Sequence, residues 1–526
     1  VRATVLDAAL VSLLAAALAG LALSVLVERW LLLPRPGWRR PWRAWAAHAG
    51  LWLLPHALLT LALGRPWFAA ATVLACWLTL VLVNNAKLRT LREPFVWTDF
   101  EYFTDALRHP RLYLPFLGAG RFAVATVGFA LAVAVGLWAE APPAQRWAWS
   151  GQLGGAVALL VVGVGLLLAA SRAVPAAGGV DPRRDVRALG LLGCLWRHGL
   201  QARAPLAVVS PFATLPALPV SAPSVLGPDR SGAALPDLVA VQSESFFDAR
   251  AIYPGVRPEL LAAYDRLKAD AALHGILKVP AWGANTVRTE FAVLTGIAEA
   301  ALGAHRFDPY RRVAAGWAVG SLVAWLKRLG YRAVAVHPYP ASFYRRDRVY
   351  RRLGFDEFLD LRAFAGAARC GPYVSDEAVG AKVASVLAAA SGPTFVYTIT
   401  MENHGPLHLE RATAADAAAL YATPPPAGCD DLTVYLRHLR NADRMLAGLH
   451  AALASHGRPA SLCWFGDHVP GLPQVYKRLK APIRDVEYLV WNNRLNPQPG
   501  SAQARALHAH ELALAWLRAA GMVGKV

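Results

Sequence analysis

Cysteine, methionine and acidic side chains are scarce in this chain. Five of 526 residues are Cys and three are Met, and 35 acidic residues face 54 basic ones, for a formal charge of +19. No two cysteines stand in a Cys-x-x-Cys pair, which removes zinc-ribbon and thioredoxin readings. Cys76 lies in an apolar run and Cys194 close to another; Cys370 and Cys429 are the pair open to a bridge in an oxidising compartment. The excess charge invites a nucleic-acid partner. Yet the basic residues are mostly Arg scattered through loops beside apolar runs, with no zinc-finger or RNA-recognition signature. Attraction to anionic lipid headgroups accounts for them more simply. No nucleic acid is expected as a partner, and no internal repeat is evident.

Apolar residues are what the chain has in excess. Hydrophobic side chains make up 56% of it and the mean hydropathy is +0.33, too high for an ordinary soluble protein of this size. The excess sits at the front, in Ala3 to Val27, Ala44 to Leu63, Trp67 to Val83, Phe122 to Trp138 and Leu153 to Ala170. Each run is about 17–25 residues with almost no charge, the length that crosses a hydrocarbon core of roughly 30 Å. A cleaved signal peptide has a shorter apolar core and is not followed by four more such runs. Five transmembrane helices are expected, with the membrane as a partner. The sequence starts at Val1 rather than Met, which leaves the helix count open at that end.

Charge counting around these runs gives an orientation that conflicts with the composition of one loop. Arg35, Arg39, Arg40 and Arg43, then Lys87 to Arg121, then Arg172, Arg183, Arg184 and Arg187, would all be cytoplasmic by the positive-inside rule. The second of these stretches also carries Trp97, Phe100, Tyr102, Phe103, Tyr113 and Phe116, the mix of an amphipathic segment lying on a membrane surface.

Composition changes near Asp181. Pro205 to Pro236 is rich in Pro, Ser and Ala, as linkers are. The expected organisation is therefore 1–175 as a helical membrane bundle, 176–236 as a juxtamembrane segment and linker, and 237–526 as one large α/β domain. In the last part apolar strand candidates alternate with helical stretches at Pro258–His274, Gly316–Leu329, Asp376–Ala390, Tyr435–His456 and Ala502–Ala520. That alternation predicts a mostly parallel sheet covered by helices.

Four strand candidates end in polar, metal-competent residues. Leu462 to Phe465 runs through a glycine into Asp467-His468, Leu238-Val-Ala-Val-Gln into Ser243-Glu244-Ser245, Tyr331 to Val336 into His337, and Thr394 to Met401 into Glu402-Asn403-His404. Open α/β sheets bind ligands at the carboxyl ends of their strands, so the four predict one site on one sheet edge. A short strand, Ile276–Val279, leads to Trp282-Gly-Ala-Asn-Thr-Val-Arg-Thr-Glu-Phe. A threonine at such a loop-to-helix junction, Thr286, can act as a nucleophile beside a metal ion at a phosphate-binding helix start. On this segment alone, Thr286 or Thr289 serving as a helix cap is the simpler reading. By the same standard His404 reads as a core histidine, and Arg346, among Arg345, Arg348, Arg351 and Arg352, as part of a solvated basic face.

Taken in order, Gln-Ser-Glu244-Ser-Phe, Asn-Thr286-Val-Arg-Thr-Glu-Phe, Ser342-Phe-Tyr-Arg-Arg-Asp, Met401-Glu-Asn-His-Gly-Pro and Phe465-Gly-Asp-His resemble the lipoteichoic acid synthase family of the sulfatase and alkaline phosphatase superfamily. The likeness covers nearly the whole chain, five membrane helices and an extracytoplasmic catalytic domain included. It implies a sulfatase-like domain over 237–526 and one divalent ion, Mn2+ or Mg2+, on Glu244, Thr286, Asp467 and His468. It further implies Thr286 as nucleophile, and Arg346, His404, His337 and Tyr344 as substrate contacts; Tyr344 stands where the family often has Trp. The implied donor is phosphatidylglycerol, and the implied acceptor a glycan or a glycerol-phosphate chain outside a bacterial inner membrane.

Three alternatives stand beside this. A sulfatase-type hydrolase makes its nucleophile from a Cys/Ser-x-Pro-x-Arg motif, which Thr286-Val-Arg-Thr lacks. A phosphoethanolamine transferase shares the threonine chemistry but usually carries several disulfides. A catalytically silent lipid-binding relative would be expected to have lost part of the set Glu244, Thr286, Asp467 and His468.

Overall fold

The computed structural model describes residues 2–31, 34–101, 103, 119–141, 146–172, 179–216, 235–481, 485–493 and 503–524. It divides into two compact units, 1–205 and 206–526.

The first unit is helical. All five apolar runs lie on helices: Arg2–Val27, Trp42–Leu63, Pro66–Leu91, Ala119–Ala139 and Arg146–Ser171. Four of these are long and apolar enough to cross a bilayer, at Ala8–Trp30, Trp42–Leu63, Pro66–Leu91 and Ser150–Ser171. The other expected span falls on Ala119–Ala139, whose apolar part among the described residues, Thr126–Ala139, is shorter. Small residues let two of the helices approach closely: a Cβ at Gly50 would sit 2.8 Å from the Gly163 carbonyl oxygen. Indole N–H groups bind backbone carbonyls within the bundle, Trp52 to Ala17 at 3.0 Å and Trp77 to Ser24 at 2.9 Å. Large apolar side chains such as Val11, Leu18, Val161 and Leu168 point outward, as lipid-facing residues do. Of the aromatic stretch after Lys87, Phe95 and Phe100 pack edge to face, and Lys87 pairs with Asp99 at 2.7 Å. Tyr102, Tyr113 and Phe116 lie outside the described residues, as does 217–234 of the proline-rich segment.

The second unit is built on one sheet. Its strands are β1 (Asp237–Ser243), β2 (Leu273–Lys278), β3 (Arg332–Val336), β4 (Glu357–Leu359), β7 (Thr394–Ile399), β8 (Ala460–Gly466), β9 (Val486–Asn492), β10 (Gln503–Ala504) and β11 (Leu507–His508); β5 (Arg369–Cys370) and β6 (Tyr373–Val374) form a separate hairpin. The order is β10–β2–β9–β8–β1–β7–β3–β4, with β11 also on β2. Within this sheet every pairing is parallel except those of β9 with β8 and β2. β1, β7 and β8 are buried along their whole length, as central strands covered on both faces must be.

Three expectations for helices need correction, the first being Gly316–Leu329, which is helical only over Leu322–Arg328. Pro258–His274 divides into a 3-10 turn and the helix Ala262–Ala269, because Leu273 and His274 begin β2. The helix expected over Ala502–Ala520 starts only at Ala509. Gln503–Ala504 and Leu507–His508 instead pair with β2, where main-chain bonding to a sheet edge outweighs the helical propensity of an Ala-rich stretch.

Candidate metal and phosphate site

β8, β1, β7 and β3 are consecutive and parallel, so the four polar strand ends emerge at one sheet edge. The register puts Ser243 opposite Gly466, and Gln242 opposite both Phe465 and Ile399. Gly466 has a steric reason to be glycine. A Cβ there would lie 1.9 Å from the Phe246 carbonyl oxygen, so only glycine lets β8 pass under the turn after β1. That close approach joins the two ends: Ser245 N–H donates to Asp467 Oδ1 at 2.8 Å, as does His468 N–H at 2.9 Å.

With one oxygen of Asp467 so occupied, the other points elsewhere. Ligand atoms of Glu244, Asp467 and His468 lie within 4.8 Å of one another, on three buried side chains. Glu244 Oε2, Asp467 Oδ2 and His468 Nε2 have no hydrogen-bond partner. His468 Nδ1 faces Val469 O at 3.1 Å, which fixes the N–H there and leaves Nε2 as a lone pair. Its Nε2 is 3.4 Å from Asp467 Oδ2 and 3.6 Å from Glu244 Oε1. Unpaired buried carboxylates and an unprotonated imidazole nitrogen are costly by themselves, and a divalent cation satisfies all three at once. Burial, then the neighbouring Asp467, push the Glu244 carboxyl up to about 8.

Thr286 opens the helix Thr286–Thr295, and it is buried. One turn on, Thr289 Oγ1 donates to the Asp467 carbonyl at 2.7 Å, so the face shared by residues 286 and 289 lies against the Asp467 turn. Asn285, which precedes this helix with φ 67°, makes no side-chain cap hydrogen bond to it. Six non-glycine residues among those described have positive φ, and Ser245, Asn285, Tyr344 and Arg345 are four of them. Such left-handed backbone costs on the order of 1 kcal/mol each and gathers where a site dictates geometry.

Arg346 is not solvated but buried, 1% exposed, and tied to Glu290 at 2.8 Å. Glu290, the fourth residue after Thr286 on its helix, also accepts from Tyr310 at 2.6 Å and from Tyr350. Burial opposes the charge on Arg346, but Glu290 outweighs it and the guanidinium stays firmly protonated. Arg346 Nη1 meets His337 Nε2 at 3.1 Å, while His337 Nδ1 faces Ile399 O at 3.2 Å. Burial and then Arg346 hold His337 well below the usual histidine range, so it is neutral, with Nδ1–H donated and Nε2 accepting. Tyr344 lies 5.3 Å from the guanidinium, ring to cation. His404 turns Nδ1 to Gly405 O at 2.6 Å and stacks edge-on with Tyr373. Burial, with Arg346 adding to it, lowers its pKa too.

Two residues emerge from the structure without a role in the sequence reading. Glu290 was visible as a lone acid in an apolar helix, but its partners come from two other helices, Pro309–Ala314 and Arg346–Leu353. Asn403 is 2% exposed, and neither amide atom has a partner. As for the cysteines, Cys370 and Cys429 are both free thiols.

A family model described as Sulfatase matches residues 236–522. The capsular polysaccharide biosynthesis protein RkpI of Rhizobium meliloti (strain 1021) is 28% identical over 446 residues, 80% of this chain and 77% of that one. A protein of the same organism named for cyclic beta-1,2-glucan modification is 26% identical over 283 residues, 50% of this chain and 43% of that one. Among solved structures, the integral membrane lipooligosaccharide phosphoethanolamine transferase A (EptA) of Neisseria meningitidis aligns over 99% of this chain and 95% of its own, at TM-score 0.54 and 12% identity. That likeness extends through the membrane helices as well as the sheet domain. With more than half its length matched by the family model, the chain belongs to the Sulfatase family.

Proposed function

We propose that this is a membrane-anchored phosphoglycerol transferase. It takes a phosphoglycerol group from phosphatidylglycerol onto Thr286 and passes it to an extracytoplasmic glycan or glycerol-phosphate acceptor. The observation that carries the reading is the convergence of three unpaired buried ligand atoms, on Glu244, Asp467 and His468, beside a helix that begins with Thr286. Glu244, Asp467, His468 and the Thr286 hydroxyl would hold the divalent ion. Two carboxylates, a hydroxyl and an imidazole suit Mn2+ or Mg2+. When bound, the ion lowers the pKa of a coordinated hydroxyl and neutralises charge on a phosphoryl oxygen.

The remaining work falls to the chain's own side chains. Thr286 Oγ1 attacks phosphorus; its bond to phosphorus forms as the phosphorus–oxygen bond to diacylglycerol breaks. His404, neutral and with Nδ1–H given to Gly405, offers Nε2 to take up the threonine proton and return it to the departing diacylglycerol oxygen. In the second half an acceptor hydroxyl displaces threonine, and the proton travels back. Arg346, aimed by Glu290 and His337, is the cation for the phosphodiester, and Tyr344 flanks it. Asn403 is an unpaired amide available to the glycerol hydroxyls. The relatives named for capsular polysaccharide biosynthesis and cyclic beta-1,2-glucan modification favour a glycan as acceptor and a site outside the cytoplasmic membrane.

The test is donor choice. Detergent-solubilised protein with Mn2+ is given fluorescent phosphatidylglycerol or phosphatidylethanolamine. Diacylglycerol from the first alone, dependent on Thr286, is expected. Release from phosphatidylethanolamine alone would move the assignment to a phosphoethanolamine transferase, and no release from either would overturn the transferase reading.

A further inference from the structure

Outside the site just described, a second set of ligating side chains converges in the same unit. Cys370 ends β5, Glu402 follows β7 by three residues, and His438 lies in the helix Asp430–Ala454. Their ligand atoms all lie within 4.8 Å of one another. His438 Nδ1 is 2.9 Å from Glu402 Oε1 and 3.6 Å from Cys370 Sγ. Its Nε2 lies 3.1 Å from each oxygen of Glu410. Asn441 donates to Glu402 Oε1 at 2.6 Å. Glu402 and His438 are fully buried; Cys370 is half-buried and Glu410 is 15% exposed, so solvent reaches the group from their side.

An imidazolium clamped between Glu402 and Glu410 explains the two carboxylates but not the rest. It leaves the Cys370 thiol beside a nitrogen that is already engaged. It also leaves Asp376, fully buried, with neither carboxylate oxygen in a sound hydrogen bond. The backbone N–H of Asp376 donates to Glu402 Oε2 at 2.7 Å.

We propose that Cys370, Glu402 and His438 Nδ1 form a second divalent-metal site selective for Zn2+, with water as the fourth donor from the side of Cys370 and Glu410. Tetrahedral zinc, with Zn–S near 2.3 Å and Zn–N near 2.0 Å, holds sulfur and nitrogen about 3.5 Å apart. The 3.6 Å between Cys370 Sγ and His438 Nδ1 already meets that. The Nδ1 to Oε1 gap of 2.9 Å must open by about 0.4 Å, as expected where a proton stands in for an ion. Glu410 then accepts from His438 Nε2–H, the carboxylate–histidine arrangement that orients ligating imidazoles. Loading releases the thiol proton and the proton on Nδ1 to solvent. A thiolate ligand favours zinc over the harder ions that suit Glu244, Asp467 and Thr286, so the two sites differ in the metal they select. The position has a consequence for the first site. The β5–β6 hairpin carries Tyr373, whose ring lies 5.9 Å from that of His404, and Glu402 is two residues from His404, so an ion here fixes both supports of that histidine.

Full-length, metal-stripped protein in detergent is titrated with Co2+, whose thiolate charge-transfer absorption in the near ultraviolet reports sulfur ligation. The wild type and Asp467→Asn should show the band, and Cys370→Ser should lose it. Zinc competition should weaken by more than about 100-fold in Cys370→Ser, beyond what loss of an outer partner costs. Independently of any variant, Zn2+ should slow alkylation of Cys370 in the wild type at least tenfold. A wild-type chain without the band, a band that survives Cys370→Ser, or alkylation of Cys370 indifferent to zinc would each overturn the site.

Discussion

Glu290 supports Arg346, the arginine proposed to bind phosphate, from inside the domain, and replacing it isolates that contribution. Its carboxylate is fully buried and receives Arg346 Nη2 at 2.8 Å, Arg346 Nε at 3.2 Å and Tyr310 at 2.6 Å, with Tyr350 as well. Glu290→Gln keeps the shape but removes the charge, and turns an amide N–H2 toward groups that are themselves donors. Because Arg346 is only 1% exposed, its charge cannot escape to water. Breaking one partner of a buried pair costs about 3–5 kcal/mol. For a domain of this size that is on the order of 10 °C in Tm. Replacing Arg346 and Glu290 together by Met removes both charges, and should recover much of the loss, though the two tyrosine hydroxyls then lack an acceptor. Thermal unfolding of the full-length protein in detergent reads both variants against wild type. A shift of Glu290→Gln below about 1 kcal/mol, the range of a solvated pair, would refute the buried network and Arg346's place in it.

Other outcomes follow from the same geometry. Glu244, ordinarily near 4.5, is raised to about 8 without an ion, so the stability tied to its proton is complete below 4.5 and lost as pH rises through 8. Metal-free protein should therefore lose stability across that window by this group's contribution. Metal affinity should fall about tenfold per pH unit below 8, a slope that calorimetric titration at pH 6, 7 and 9 would show absent if the reasoning fails. Gly466→Ala should abolish high-affinity metal binding, since a Cβ 1.9 Å from the Phe246 oxygen forces the turns bearing Glu244 and Asp467 apart; retained binding would contradict that. His337→Ala removes the acceptor on Arg346 Nη1, worth about 1.5–3 kcal/mol as a bond to a charged group. The donor KM should rise tenfold or more while metal binding is unchanged, and an unaltered KM would show that His337 does not position Arg346.

Much of this was legible in the residue order. Apolar strands that end at once in Glu244, His337 or Asp467 carry their own topological information, because parallel neighbours must present those ends at one edge. The membrane helices were legible for a similar reason, being long runs in which length and hydropathy alone decide the environment. The support for Arg346 was not legible. In sequence it stands among four other arginines, and only packing shows that Glu290 and Tyr310, from two earlier segments, close around it with Tyr350 of its own helix. Nor was the second cluster, since Cys370, Glu402 and His438 share no motif spacing and meet only through a hairpin, a strand end and a long helix. The strands at Gln503 and Leu507 were hidden because an Ala-rich stretch favours helix until a sheet edge offers it partners.

The most direct test of the central claim is to catch the covalent step. Protein loaded with Mn2+ is incubated with phosphatidylglycerol and no acceptor, then weighed intact and mapped by peptide mass spectrometry. The account predicts one phosphoglycerol group per chain, carried on Thr286 and absent from Thr286→Ala and Asp467→Ala. Diacylglycerol release without any adduct, or an adduct on another residue, would contradict it.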